Sequence, residues 1–289
     1  MTPEVTRPTL SELRDAVTEL PTIPETLTRI LRLLEDPNSG ARDLAEVIRG
    51  DAPLASKILR LANSPLYQKN RTIATIQECV AVLGYRTVRQ VALCVAVISS
   101  LGRECRTRDV TLDYHDLWRH SVATGAVARE LAARNGRCEP ETALLGGLLH
   151  DLGKFVLAIC EPRAYTDLLI QRRDVGERLT AVEHAEFGFD HAQAGAALAD
   201  AWNFPPELLA AIGGHHEPAG AGSLVTVVAL ADHVAHRLQP SASDLGYDAS
   251  HVDAAGLHRL AELDEATTEA ATDVLLGAIE SLSPLTSID

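Results

Sequence analysis

Six histidines and two aspartates stand inside otherwise apolar, helix-forming text. They are His120 in "LWRHSVATGAVARELA", His150 and Asp151 in "LLHDLGK", His184 and His191 in "VEHAEFGFDHAQAGAALADAWNFP", His215 and His216 in "GGHHEP", and Asp232 in "TVVALADHVAHRL". The chain has 11 histidines, none before residue 115. A lone histidine in a core helix is ordinarily a hydrogen-bonded core residue. Repeated insertion of imidazoles and carboxylates into one half of the chain asks for a common cause, because an unpaired buried charge costs several kcal/mol. Divalent cations resolve that cost directly. The cation neutralises the aspartates, and each histidine uses one ring nitrogen as a ligand. Facing helices supply such sites, and a catalytic one keeps a coordination position open for water.

The elements that must hold these residues read as helices throughout. In "PTIPETLTRILRLLED" the apolar positions Ile23, Leu27, Ile30, Leu31 and Leu34 form one stripe of an amphipathic helix. "SGARDLAEVIRG" closes on Gly50, which is expected to be a left-handed stop. "DAPLASKILRLANSP" begins with Asp51 as its cap and Pro53 in the first turn. Thr75 and Glu78 have capping-box spacing, with Gly84 at the C-terminal stop. "TVRQVALCVAVISSL" becomes apolar on all sides and predicts a central buried helix. The polar text "RECRTRDVTLDYHD" predicts a connection between two helical sets, with a seam near residues 103–112. "DAAGLHRLAELDEATTEAATDVLLGAIESL" predicts one or two amphipathic helices docking on the body, with Thr267 and Glu269 on the polar side and Leu275, Leu276, Ile279 and Leu282 on the apolar one.

Composition narrows the function classes. Of 289 residues, 46% are apolar and only 4% aromatic, so the core is built mainly of aliphatic side chains. With 26 basic against 40 acidic residues, the net charge of -14 opposes a broad nucleic-acid footprint. A helix-turn-helix reading of "LASKILRLANSPLYQ" fails on the same ground, and Lys57, Arg60, Lys69 and Arg71 read as a solvated helix face. The five cysteines, Cys79, Cys94, Cys105, Cys138 and Cys160, have no CxxC spacing and are expected to be reduced thiols. "MTPEVTRPTLSEL" lacks a basic start and an apolar stretch, and the longest apolar run, Val91 to Ile98, is short for a bilayer. A cytoplasmic, non-membrane protein is the expectation.

The order H…HD…H…HH…D, with Gly153 and Lys154 closely following His150-Asp151, resembles the HD superfamily of metal-dependent phosphohydrolases and, within it, the HD-GYP phosphodiesterases. "LPTIPETLTRIL", "IRGDAPLASKILRLANSPLY" and "TIATIQECVAVLGYRTVRQVAL", followed by "LLHDLGKFVLA", resemble the HDOD family, the HD-related output domain of bacterial signalling systems. The resemblance implies an all-α fold: an HD-type domain over 103–240 preceded by a packed helical half over 15–102, together an HDOD domain at 15–240, with a helical extension at 241–289. It also implies a metal set of His120, His150, Asp151, His191, His215, His216 and Asp232. One ion would lie among His120, His150, Asp151 and Asp232, and a second among Asp151, His191, His215 and His216, with Asp151 bridging.

The resemblance further gives Asp151 and Lys154 catalytic roles, Lys154 meeting a substrate phosphate oxygen or holding the bridging carboxylate. The cofactor is one or two divalent ions, with Fe, Mn and Zn all suited to nitrogen and oxygen ligands. Trp118 and Trp202 read as core. His115, His184, His233, His236, His251 and His258 read as exposed or structural. HD-GYP enzymes follow their paired histidines with a Gly-Tyr-Pro-containing loop, whereas this chain reads "HHEPAGAGSLVTVV". Two functions stay open. One is a signalling module with a structural or sensory metal site, engaging protein partners or a small phosphorylated ligand. The other is a metal-dependent phosphohydrolase acting on a nucleotide or phosphodiester.

Overall fold

The computed structural model describes residues 25–36, 38–63, 67, 72–107, 114–172, 178–238 and 253–268, and helices are the only regular structure among them. In chain order they are α1 Glu25–Glu35, α2 Ala41–Arg49, α3 Ala52–Ala62, α4 Ile76–Leu83, α5 Tyr85–Thr107, α6 Tyr114–Asn135 and α7 Pro140–Leu149. Then follow α8 Leu152–Cys160, α9 Pro162–Arg172, α10 Leu179–Phe187, α11 His191–Ala201, α12 Pro206–Gly214, α13 Ser223–Leu238 and α14 Ala254–Ala261.

The local signals act as their chemistry requires. Asp51 accepts the Leu54 amide at 3.0 Å and so starts α3. Thr75 and Glu78 form the reciprocal capping box of α4, and Gly84 ends that helix at φ +88. Gly50 departs from expectation. Its φ is -67, because Asp51 takes the extended turn and caps the next helix at once. Leu27, Ile30 and Leu31 are buried along one stripe of α1; Ile23 lies outside the described residues.

Helix α5 is the central element. Every residue from Val91 to Ile98 is buried. It packs on α1, α2, α3 and α4 from one side and on α7 and α8 from the other. It also runs through residue 103 to Thr107, so the polar text around the expected seam begins as helix; residues 108–113 lie outside the described set. Lys57 corrects the surface reading of its segment. It is 7% exposed and donates to Ser99 Oγ at 3.0 Å, because α3 is covered by α5. Lys69 and Arg71 fall outside the described residues.

A polar latch joins the halves. The Tyr67 hydroxyl, at the end of "ANSPLY", donates to Glu141 Oε2 at 2.7 Å, and Arg129 Nε donates to Glu141 Oε1 at 2.8 Å. Gln90 Nε2 donates to Thr142 Oγ1 at 2.9 Å beside them. The stretch Pro140–Cys160 is 21 residues long and apolar enough to cross a membrane by composition alone, a longer run than Val91 to Ile98. Here it is buried between the other helices and broken at His150-Asp151 into α7 and α8. At the other end, Asp253 caps α14, which packs on α13; Glu269, Leu275, Leu276, Ile279 and Leu282 lie outside the described residues. All five cysteines are free thiols.

Candidate metal centre

The break between α7 and α8 positions the centre. His150 ends α7 and Asp151 precedes α8, so both side chains leave the helical ladders at a corner. His120 comes from α6, His191 from the first position of α11, His215 and His216 from the end of α12, and Asp232 from α13. Two glycine contacts bring these helices close. Gly147 on α7 meets Gly125 on α6, where a Cβ on Gly147 would lie 2.6 Å from the Gly125 Cα. Gly153 on α8 faces Gly195 and the His191 carbonyl on α11, where a Cβ on Gly153 would collide with backbone.

All seven side chains that the sequence resemblance names meet at this corner. Asp151 Oδ2 lies 3.3 Å from His150 Nε2 and 3.8 Å from His120 Nε2. Its other oxygen, Oδ1, lies 3.4 Å from His191 Nε2 and 3.9 Å from His215 Nε2. Asp232 Oδ1 lies 2.9 Å from His120 Nε2 and 3.5 Å from His150 Nε2. His216 Nε2 stands 2.8 Å from His191 Nε2. Three overlapping sets bring their donor atoms within 4.8 Å of one another: His191, His215 and His216; His120, His150 and Asp232; and His150, Asp151 and His215. Lys154 is 6% exposed, with its ammonium 2.6 Å from Asp151 Oδ2. It holds the carboxylate from inside the fold. His184 is exposed, on the outer side of α10.

The ring tautomers follow from their outer partners. His150 Nδ1 faces the Gly147 carbonyl at 2.7 Å, and His215 Nδ1 faces the Ile212 carbonyl at 2.8 Å. A carbonyl only accepts, so Nδ1 carries the proton in both rings and Nε2 is left to the centre. His191 Nδ1 lies 2.6 Å from Glu183 Oε2, whose carboxylate also accepts the His191 amide at 2.9 Å and, through Oε1, the Tyr165 hydroxyl at 2.8 Å. Outer partners of this kind fix ligand orientation and raise ligand basicity. His215 Nε2 is buried without a hydrogen-bond partner among the described residues. An orphaned imidazole lone pair beside two carboxylates fits a divalent cation.

The sequence reading missed two members of this constellation. Glu183 is fully buried, although its neighbour His184 drew the attention in "VEHAEF". His236, read as exposed or structural, has Nε2 3.2 Å from Asp232 Oδ1 and stacks on His120 with ring centroids 4.0 Å apart. Trp118 and Trp202 are buried as expected; of the histidines read as exposed or structural, His233 is buried and His258 Nδ1 lies 3.3 Å from Thr268 Oγ1. The side chains of His115 and His251 lie outside the described residues.

Burial works against both carboxylates, but His150 and Lys154 beside Asp151, and His236 and His120 beside Asp232, hold them well below the usual carboxylate range. Burial lowers His120 to about 4 and His215 to about 3, helped by neighbouring histidines. His150 goes the other way. Burial opposes its charge, yet Asp151 and Asp232 raise it to about 10. At pH 7, with protein charges alone acting, His150 is therefore protonated, whereas His120 and His215 are neutral. A cation bound at His150 Nε2 must displace that proton. Metal loading at pH 7 is expected to release about one proton from this ring. The calorimetric enthalpy of loading should then vary with the ionisation enthalpy of the buffer. No such variation would show that His150 is already neutral in the metal-free chain.

These elements define an all-helical domain built round a buried histidine–aspartate cluster suited to divalent cations. The HDOD domain model matches residues 20–218, more than half of the sequence, and the chain belongs to the HDOD family. A candidate phosphohydrolase from Shewanella amazonensis SB2B is 26% identical, with 95% of this chain and 98% of that one covered and a TM-score of 0.76. A candidate signal transduction protein from Marinobacter aquaeolei VT8 is 27% identical, with 95% of this chain and 61% of that one covered and a TM-score of 0.73. An uncharacterized protein from Treponema pallidum is 28% identical over 237 residues, 77% of this chain; the match spans only 43% of that relative.

Proposed function

We propose that this HDOD protein is a cytoplasmic signalling module in which one or two divalent ions, of Fe, Mn or Zn character, serve a structural or sensory role. The observation that carries this reading is the dense buried donor set, whose neighbouring Lys154 is paired with Asp151. Residues 217–222 are all that join His216 to α13, and hydrogen bonds from the Glu217 amide to the Gly214 carbonyl and from Ala221 to Pro218 tie them into tight turns. The Gly-Tyr-Pro loop of the HD-GYP phosphodiesterases has no counterpart there. Lys154, which follows the His150-Asp151 pair, is turned onto Asp151. A bound divalent cation would neutralise the two carboxylates and, given an open position, acidify a water. His150, His191 and His215 would present Nε2 to it, oriented by Gly147, Glu183 and Ile212.

In this reading the half before residue 103 contacts signalling proteins, the half to residue 240 carries the metal centre, and the segment after it is an extension. The latch from Tyr67 to Glu141 would couple the first two. Similarity to a candidate signal transduction protein supports the same direction. The second reading, a phosphohydrolase acting on a nucleotide or other phosphoester, is favoured by the full donor set and by similarity to a candidate phosphohydrolase. Metal analysis of the purified protein, followed by a phosphomonoester, phosphodiester and nucleotide panel with Fe, Mn and Zn, separates them. The module reading expects retained metal with no turnover above an Asp151→Ala control. Metal-dependent turnover lost in that control would establish the enzyme instead.

A further inference from the structure

His236 stands where neither the motif order nor the HD resemblance places a ligand. It follows Asp232 by four residues on α13, so both side chains leave the same face of that helix. Its Nε2 lies 3.2 Å from Asp232 Oδ1, the oxygen that also meets His120 Nε2 at 2.9 Å and His150 Nε2 at 3.5 Å. The His120 and His236 rings stack with an interplanar angle of 29°, and the His236 side chain is only 12% exposed. A solvated histidine has none of these features.

The spacings carry the argument. Donors held about 2.0–2.2 Å from one ion sit about 3 Å apart at right angles and about 3.4 Å apart at the tetrahedral angle. The His236–Asp232, His120–Asp232 and His150–Asp232 separations, 3.2, 2.9 and 3.5 Å, all match such edges. So does the 3.3 Å between His120 Nε2 and His150 Nε2. Three imidazole nitrogens thus surround one carboxylate oxygen at edge distances that a shared cation would accept. An outer-shell partner such as Glu183 instead meets the far nitrogen of its ligand ring, at His191 Nδ1.

We propose that His236 is a protein ligand, through Nε2, to the ion held by His120, His150, Asp151 and Asp232. The inference deepens the module reading and rests on it: a further protein donor would leave fewer positions on the ion for water or substrate, which favours retention over turnover.

The test loads the full chain, labelled with 15N-histidine, with 113Cd2+ and reads ring nitrogens by long-range proton–nitrogen NMR. A one-bond cadmium coupling is expected on a ring nitrogen whose signal disappears in His236→Gln, with cadmium affinity falling about tenfold or more. His236→Cys provides a gain of signal should the glutamine variant fold poorly. A thiolate bound at that position moves a cadmium resonance strongly downfield. An unchanged set of coupled nitrogens in His236→Gln, together with an unmoved cadmium resonance in His236→Cys, overturns the ligand while leaving the metal centre intact. Failure of the wild-type chain to hold cadmium, manganese or zinc overturns both the ligand and the reading on which it rests.

Discussion

Asp151→Ala is expected to strip metal from the whole centre. The two oxygens of this carboxylate face different imidazoles: Oδ2 faces His150 and His120, and Oδ1 faces His191 and His215. Loss of an outer-shell partner typically costs 10–100-fold in metal affinity, roughly the lower bound for losing a shared ligand. Metal content per chain should fall from the wild-type value to near background, whichever divalent ion is offered. The variant also leaves the Lys154 ammonium buried without the carboxylate that lies 2.6 Å away, a loss of about 3–5 kcal/mol for a broken buried pair. Stability loss and ligand loss therefore have to be separated. Asp151→Ala combined with Lys154→Met removes the stranded charge, so it should recover much of the denaturation midpoint and none of the metal. His184→Ala, on the outer side of α10, should change neither. Near wild-type metal in Asp151→Ala would end the case for a bridging carboxylate.

What made this centre legible in the sequence was contrast. His150 and Asp151 stand out in "ALLGGLLHDLGKFVLA" because everything around them is apolar, and His120, His191, His215 and Asp232 interrupt helices in the same way. The caps at Asp51 and Thr75 were equally legible, since each depends on residues within one turn. Glu183 was not. A glutamate on a helix of ordinary surface composition carries no sign that it will be buried. It reaches His191 only because Gly188, in the left-handed region at φ +82, turns α10 back toward the start of α11. The feature to look for is a carboxylate eight residues before a candidate ligand with a glycine between. His236 was within reach of the sequence, because a four-residue spacing from Asp232 places both on one helix face. That spacing alone does not separate a ligand from an exposed or structural histidine. Lys57 shows the converse error: a basic residue on an amphipathic helix was assigned to solvent, although α3 has a neighbour on that side as well.

Gly153→Ala is expected to damage the centre without touching a donor atom. The added methyl would overlap the His191 carbonyl oxygen and lie 2.6 Å from the Gly195 amide nitrogen, and neither can rotate aside because both belong to the backbone of α11. The helices must therefore part. Overpacking of this kind costs about 1–3 kcal/mol and sometimes more. A chain of this size should lose about 2–4 °C of its melting midpoint for each kcal/mol. The functional effect follows from where the contact lies. Asp151 and Lys154 flank Gly153 on one side, and His191 begins the helix on the other, with 3.4 Å between Asp151 Oδ1 and His191 Nε2. Parting α8 from α11 widens that gap first, so metal held by His191, His215 and His216 should be lost before metal held by His120 and Asp232. Gly222→Ala is the control, since a Cβ there meets nothing within 4 Å and should alter neither melting nor metal content. Cadmium titration of the Gly153→Ala chain reads the order of loss. If cadmium binding weakened uniformly with no change in the melting midpoint, the close approach of α8 and α11 would not be what positions His191. Early loss of metal at His191 would instead make the glycine in "HDLGK" a packing residue with a metal phenotype: it sets the distance between two helices, and that distance sets the span between a carboxylate and an imidazole.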